Sequence, residues 1–294
     1  MVTFENIANL RKYLYQARME GKSIALVPTM GNLHEGHLQL VDQAQKAATL
    51  AVVSIFINPL QFGPGEDYKG YPRSFSQDQE KLRKRGCHIL FSPQIENMYP
   101  ETRISATVVK VPHLSHIHCG ASRPGHFTGV ATVVTKLFGI VQPDAAIFGL
   151  KDYQQFLVIK QATDDLCLPV KIIGSPIART ESGLAMSSRN GYLNATQKEK
   201  AAGLYRTLVK TQLAIENGNC DYDALSVKAS RQLEQSGFQP DYFSICRQKD
   251  LQPATIKDRD VVILAAAYLG KARLIDNVRF TVNLTLPKYR HYDV

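Results

Sequence analysis

The feature that most restricts this chain is a rhythm: short, continuously apolar, β-branched runs take turns with segments of helical period. The run AVVSIFIN at 51–58 is the clearest of them. It has no polar face to offer water, so it suits a strand covered on both sides, as in a parallel sheet with helices above and below. SIALVP at 23–28 precedes it as a strand, followed by a helix over 34–50. After it come a helix from Phe75 to Arg85 closed by Gly86, the strand HILF, and a strand ATVVKV at 106–111. Helix 127–141, strand AAIFG, helix 152–164 and strand VKIIG continue the alternation. At the start, Phe4, Ile7, Leu10 and Leu14 carry helical spacing over 4–19, with Thr3 as N-cap and Gly21 beyond the end. This pattern predicts a doubly wound α/β parallel sheet with its ligand chemistry at the carboxyl ends of the strands.

The rhythm changes after Pro176. A polar loop ending in MSSRNGYL leads to amphipathic helices at about 196–216 and 223–235, stopped near Gly218 and by Gly237. DVVILAAAYLG and ARLIDNVRF then form a hairpin around Gly270 and Lys271. The expected division is a larger domain over 1–177 and a smaller α+β domain over 178–294. A chain of 294 residues has enough length for both without staples.

Five cysteines, Cys87, Cys119, Cys167, Cys220 and Cys246, are odd in number, scattered and without a CxxC, which argues against a disulfide framework and a cysteine-rich zinc site. That points to a reducing cytoplasm. The N-terminal MVTFENIANLRKYL lacks the apolar core of a signal peptide, and no stretch has the length of a membrane span. A net charge of +9 suits an anionic partner, whether nucleic acid, a membrane surface or small phosphorylated substrates. The densest basic run, KLRKRG at 81–86, ends a helix, where cations meet the carbonyl end of the dipole, and it has few aromatic neighbours for stacking RNA bases.

The chemistry concentrates in short stretches. In LVPTMGNLHEGHLQL at 26–40, His34 and His37 are three apart, whereas the zinc-protease helix needs four, and no third ligand is near. The stretch runs strand, turn, helix start, which places backbone N–H groups and a helix dipole where phosphate could sit. Gly36, between the histidines, leaves room for a ligand to approach the helix closely. Spacing alone leaves a plain helix-capping role equally open. GLKDYQQ at 149–155 follows a strand, so Lys151 could neutralise phosphate and Asp152 could orient it or hold the ribose or magnesium; a capping aspartate beside an exposed lysine is the alternative. AMSSRN at 185–190 offers two hydroxyls and a guanidinium to nonbridging oxygens, or is a serine-rich linker. His113, His116, His118, Cys119 and His126 make an unusual set for tetrahedral zinc. GKS at 21–23 lacks the upstream glycine of a Walker loop, and neither GxGxxG nor GxSxG occurs.

PTMGNLHEGH, SIFINPLQFGPGEDYKGYPR, RPGHFTGV, FGLKDYQQ, GLAMSSRNGYL and LGKARLIDN, in that order and spacing, resemble the pantoate–β-alanine ligase family over almost the whole chain. HEGH resembles the HIGH signature of class I synthetases and nucleotidylyltransferases, and MSSRN its KMSKS counterpart. The resemblance implies a Rossmann-like first domain with a lid domain after it. It implies that ATP and (R)-pantoate give pantoyl adenylate and pyrophosphate, and that β-alanine then gives pantothenate and AMP.

By motif, Met30, Gly31, Asn32, Leu33, His34, Glu35, Gly36 and His37 would form the ATP loop, with His34 and His37 at the phosphates and His37 the proton donor. Gly149, Leu150, Lys151, Asp152, Ala178, Met186, Ser187, Ser188 and Arg189 would complete the ATP site. Lys151, Ser187, Ser188 and Arg189 would join the histidines in catalysis. Gln61 and Gln155 would hold pantoate, with Gln61 also at β-alanine; Asn58, Tyr71 and Arg123 would line the same cavity. The resemblance further implies magnesium carried by ATP rather than by a protein site, a homodimer, and neither nucleic acid nor membrane as partner. Where the family usually has glutamate, this chain has Leu150, and compensation by neighbours or the magnesium shell is expected. A nucleotidylyltransferase of the same superfamily and an RNA-binding module are the competing readings.

Overall fold

The computed structural model describes residues 1–100 and 107–282. In chain order the elements are β1 (Val2–Phe4), α1 (Ile7–Met19), β2 (Ile24–Thr29), α2 (Glu35–Ala47), β3 (Leu50–Ile55), α3 (Phe75–Lys84), β4 (Ile89–Phe91), α4 (Ile95–Met98) and α5 (Cys119–Ser122). They continue with α6 (His126–Val141), β5 (Ala145–Gly149), α7 (Tyr153–Asp165), β6 (Lys171–Ser175), α8 (Ala195–Glu216), α9 (Tyr222–Gln235), β7 (Gln239–Arg247), β8 (Asp260–Leu269) and β9 (Ala272–Thr281). The chain divides into two compact units, Met1–Lys198 and Glu199–Val294.

In the first unit six strands form one parallel sheet in the order β1-β4-β3-β2-β5-β6. Side chains alternate across a strand, and β2 shows what that does here. Ile24 and Leu26 join one buried cluster with Leu10 and Leu14 of α1 and Val134 and Leu137 of α6. Ala25 and Val27 join another with Leu40 and Val41 of α2 and Leu82 of α3. Both faces are thus covered, as the unbroken apolar runs require. The strand order reverses between β2 and β5, and the carboxyl ends of those two strands open onto a crevice, the usual ligand position in such sheets.

Three local readings are corrected. Residues 2–4 are an edge strand, in register with Ile89–Phe91, so α1 starts later. Its N-cap is Asn6, whose side chain accepts from Ala8 N at 2.8 Å and Asn9 N at 3.2 Å, in place of Thr3. Residues 107–111 of the expected ATVVKV strand are irregular, while Ala106 lies outside the described residues. The segment 178–198, which the change of rhythm after Pro176 puts in the second domain, belongs to the first compact unit. Local contacts explain this: Ser188 Oγ donates to Asn32 O at 3.2 Å, and Arg189 pairs with Asp67 at 3.1 Å.

The second unit is an antiparallel sheet in the order β7-β8-β9, with the hairpin turning at Gly270 and Lys271 and α9 packed on β7. The strand β7 carries Pro240 and Asp241 and a register shift between Pro240 and Tyr242, which hid it from strand-period reading.

Candidate active site

A cleft opens at the carboxyl edge of the parallel sheet, with all its lining residues in the first unit. Its polar end collects His34 and His37 from the start of α2, Lys151 and Asp152 from the turn after β5, and Met186, Ser187, Ser188 and Arg189 from the later loop. Its apolar end is formed by Phe56, Phe148, Val130, Val133, Val134 and Leu137, with Met30, Gln61, Tyr71, Arg123, His126 and Gln155 also in its walls.

The two opening histidines are held by the helix they start. The backbone N–H of His34 donates to His37 Nδ1 at 3.3 Å. His37 therefore carries its ring proton on Nε2 and presents a donor while neutral. Burial first, then the neighbouring His34, Lys151 and Lys81, lowers its pKa to about 3. Burial and Lys151 lower His34 to about 4. A side chain at Gly36 would press on the His34 ring at 3.0 Å and on Ala178 Cβ at 3.2 Å, so this glycine makes room for imidazole packing. His34 Nδ1 is buried without a hydrogen-bond partner among the described residues, a group waiting for one. Lys151 stands 3.9 Å from Asp152.

At the other end Gln61 is aimed from behind. Asn58, almost wholly buried, donates from Nδ2 to Gln61 Oε1 at 3.1 Å and to Gly129 O at 3.0 Å, while Tyr99 OH donates to Asn58 Oδ1. Gln61 Nε2 then points toward Met30 Sδ at 2.9 Å, on the cleft side. Gly129 allows α6 this close: a Cβ there would fall 2.3 Å from Leu60 O. His126 Nδ1 lies 2.7 Å from Gln61 O, so that nitrogen carries the proton, and its Nε2 accepts from Arg123 Nη1 at 3.1 Å. Burial and the Arg123 charge lower His126 to about 4, in keeping with that neutral tautomer. Arg123 is fixed by two bonds to Glu66, at 2.7 and 2.6 Å. Burial would raise the Glu66 pKa, but the bonds and charge of Arg123 outweigh it and the carboxylate is held below its usual range.

Of the residues chosen from sequence, Met30, His34, Gly36, His37, Gln61, Gly149, Lys151, Asp152, Gln155, Ala178, Met186, Ser187, Ser188 and Arg189 meet in this cleft, as do Tyr71 and Arg123. Gly31, Asn32, Leu33, Glu35, Leu150 and Asn58 are not among its lining residues. Asn58 stands behind Gln61. Glu35 turns outward to Arg85, which also pairs with Asp42, each at 2.7 Å. Leu150 is buried, and a Cβ on Gly174 of β6 would lie 2.7 Å from its Cδ2, so it packs against bare strand backbone. Three cations of the basic run at 81–86 make structural contacts: Lys81 donates to Leu33 O, Lys84 pairs with Glu80, and Arg85 holds α2. Among the described residues no group of three or more His, Cys, Asp or Glu is placed to hold a metal, and no helix is long and apolar enough to cross a membrane.

A doubly wound sheet with imidazoles, a lysine, hydroxyls and an arginine at its switch point defines an α/β protein of the phosphate-handling class. Similarity to known proteins narrows this. The model of the pantoate–β-alanine ligase family matches residues 2–279. A pantothenate synthetase of Pseudomonas savastanoi pv. phaseolicola is 55% identical over 281 residues, covering 96% of this chain and 99% of that protein. The crystal structure of pantothenate synthetase from Thermus thermophilus superposes with a TM-score of 0.86 at 42% identity, covering 95% of this chain and 99% of its own. That of pantoate–β-alanine ligase from Francisella tularensis, complexed with β,γ-ATP and β-alanine, gives 0.77 at 33% identity, covering 95% and 97%. The chain belongs to the pantoate–β-alanine ligase family.

Proposed function

We propose that this protein joins (R)-pantoate to β-alanine at the expense of ATP through a pantoyl adenylate. The observation that carries the reading is the convergence, in one cleft, of a phosphate-suited end at His34, His37, Lys151, Ser187, Ser188 and Arg189 with an apolar end watched by the amide of Gln61. The first end suits the triphosphate, with Ala178 beside the adenine; the second suits a small branched acid held by Gln61 and Gln155.

In the first step a pantoate carboxylate oxygen attacks the α-phosphorus and pyrophosphate leaves. A carboxylate is a nucleophile at neutral pH, so no base is needed; alignment and charge screening are. His37 supplies a hydrogen bond from Nε2–H to a phosphate oxygen, the donor that its neutral ring presents while Nδ1 accepts from His34 N. Magnesium, entering on the triphosphate, would screen its charge; Asp152, the one carboxylate among the described lining residues, is 46% exposed and suited to face it. In the second step the neutral amine of β-alanine, beside Gln61, attacks the acyl carbonyl, AMP leaves, and the amine's proton passes to solvent. A closed cleft protects the mixed anhydride from water. A homodimer and a cytoplasmic location complete the proposal, the first on the family resemblance and the second also on five cysteines outside any disulfide.

The test is a product assay on purified protein with ATP, magnesium, pantoate and β-alanine, each omitted in turn. AMP and pantothenate are expected together and only from the complete mixture. Retention of AMP in the organic product would instead indicate a nucleotidylyltransferase.

A further inference from the structure

The turn before α2 is held by a carboxylate that no sequence motif singles out. Asp78, in the first turn of α3, is 1% exposed, and its two oxygens accept from successive backbone amides: Oδ2 from Asn32 N and Oδ1 from Leu33 N, both at 2.8 Å. Ser74 Oγ also donates to Oδ2, at 3.2 Å. One helical turn on, Lys81 Nζ donates to Leu33 O at 2.6 Å. Leu33 is therefore gripped at both its N–H and its C=O by side chains of a single helix, and the next residue is His34.

The backbone needs this grip. Gly31 has φ 82° and Asn32 φ 50°, two consecutive residues in the left-handed region, which is strained for asparagine. Successive amides in such a turn, at the positive end of a helix, form a concavity that attracts an anion. Here the four amides from Gly31 to His34 are already bonded. Gly31 N donates to Thr29 Oγ1 at 3.2 Å, Asn32 N and Leu33 N to Asp78, and His34 N to His37 Nδ1.

We infer that Asp78 is a positioning residue for adenylate formation: its carboxylate occupies the amides of Asn32 and Leu33 and sets the poses of His34 and His37 at the phosphate end of the cleft. The inference rests on the proposed adenylate chemistry. Asp78 touches no substrate and acts through the imidazoles. Asparagine at 78 would keep one acceptor and turn an NH₂ toward a backbone N–H, so the turn would lose one of its two bonds and gain a repulsion.

The experiment is pantoate-dependent ATP–pyrophosphate exchange, without β-alanine, by wild type, Asp78→Asn, Lys81→Met and His37→Gln, with ¹⁵N spectra of the histidine rings. Exchange by the wild type tests the underlying chemistry separately, since its absence overturns that reading whatever the variants do. Given exchange, Asp78→Asn is expected to lower its maximal rate at least ~tenfold with the pantoate KM unchanged. In the His37→Gln background the same substitution should cost markedly less, because both act through one group. The His37 ring signals should move from a single Nε2–H tautomer toward a mixture. If Asp78→Asn fails to fold, Lys81→Met, which loosens the other side of Leu33, carries the test with the same tautomer shift and a smaller loss. Wild-type exchange and unchanged ring signals in whichever variant folds, or losses that simply multiply with His37→Gln, overturn the inference.

Discussion

The rings of His34 and His37 stand with centroids 4.0 Å apart, and the backbone of the first fixes the tautomer of the second. Two imidazoles this close, beside Lys151, cannot both be charged without repulsion, and burial adds to the cost. The pair is therefore neutral, with His37 donating through Nε2.

This fixes a pH dependence. With folded pKa values of about 3 and 4 against an unfolded value of 6.5, the unfolded chain binds more protons than the folded one between those limits. Stability linked to the pair is complete above the unfolded pKa and declines as pH falls toward 4 and 3. For catalysis, kcat/KM for ATP should show no His37 ionisation between about pH 5.5 and 8. Wild type and His37→Gln should give profiles of one shape and different height. An inflection present in the wild type and missing from the variant would restore the acid role.

Asn58→Asp should act on the other end of the cleft. It removes the amide donors to Gln61 Oε1 and Gly129 O and sets a carboxylate against two acceptors. The expected result is a KM for pantoate raised about tenfold or more, the KM for ATP little changed, and a stability loss of about 1–3 kcal/mol. Steady-state kinetics and thermal melts measure both; a selective effect on ATP would contradict the assignment of Gln61.

Leu150→Glu should not repair anything. Leu150 lies against Gly174 rather than in the cleft, so a glutamate there would be buried without an evident partner. A loss of about 1–3 kcal/mol by denaturant titration, with no gain in kcat/KM, is expected. A tenfold gain in kcat/KM would mean that the side chain reaches the phosphates.

Gly129→Ala tests the packing that carries Gln61. Its Cβ would overlap Leu60 O, and α6 would have to shift away from the turn at Pro59–Gln61. A destabilisation of about 1–3 kcal/mol with weakened pantoate binding is expected. Unchanged pantoate affinity would show that Gln61 keeps its place without α6.

The parallel sheet was legible because its strands are apolar on both faces and its helices carry their own period. The edge strand β1 was not, because Phe4, Ile7, Leu10 and Leu14 keep helical spacing across a strand and a cap. What makes residues 2–4 a strand is Ile89–Phe91, far away in sequence. The site divides in the same way. His34, His37, Lys151 and the MSSRN loop lie in compact local motifs, so their grouping could be anticipated. The outward turn of Glu35, the inward turn of Leu150, Asn58 behind Gln61 and the carboxylate of Asp78 under Asn32 and Leu33 all depend on contacts between distant segments. His126 stood out in the sequence only as one of several histidines suggestive of zinc; the structure makes it the link between Arg123 and Gln61.

Oxygen transfer reports whether a pantoyl adenylate forms. Pantoate labelled with ¹⁸O in its carboxylate is turned over with ATP and β-alanine, and the AMP and pyrophosphate are examined by mass spectrometry. One labelled oxygen is expected in AMP and none in pyrophosphate, because the carboxylate oxygen bonds to the α-phosphorus and leaves with it. Label in pyrophosphate, or AMP without label while pantothenate accumulates, would contradict the adenylate.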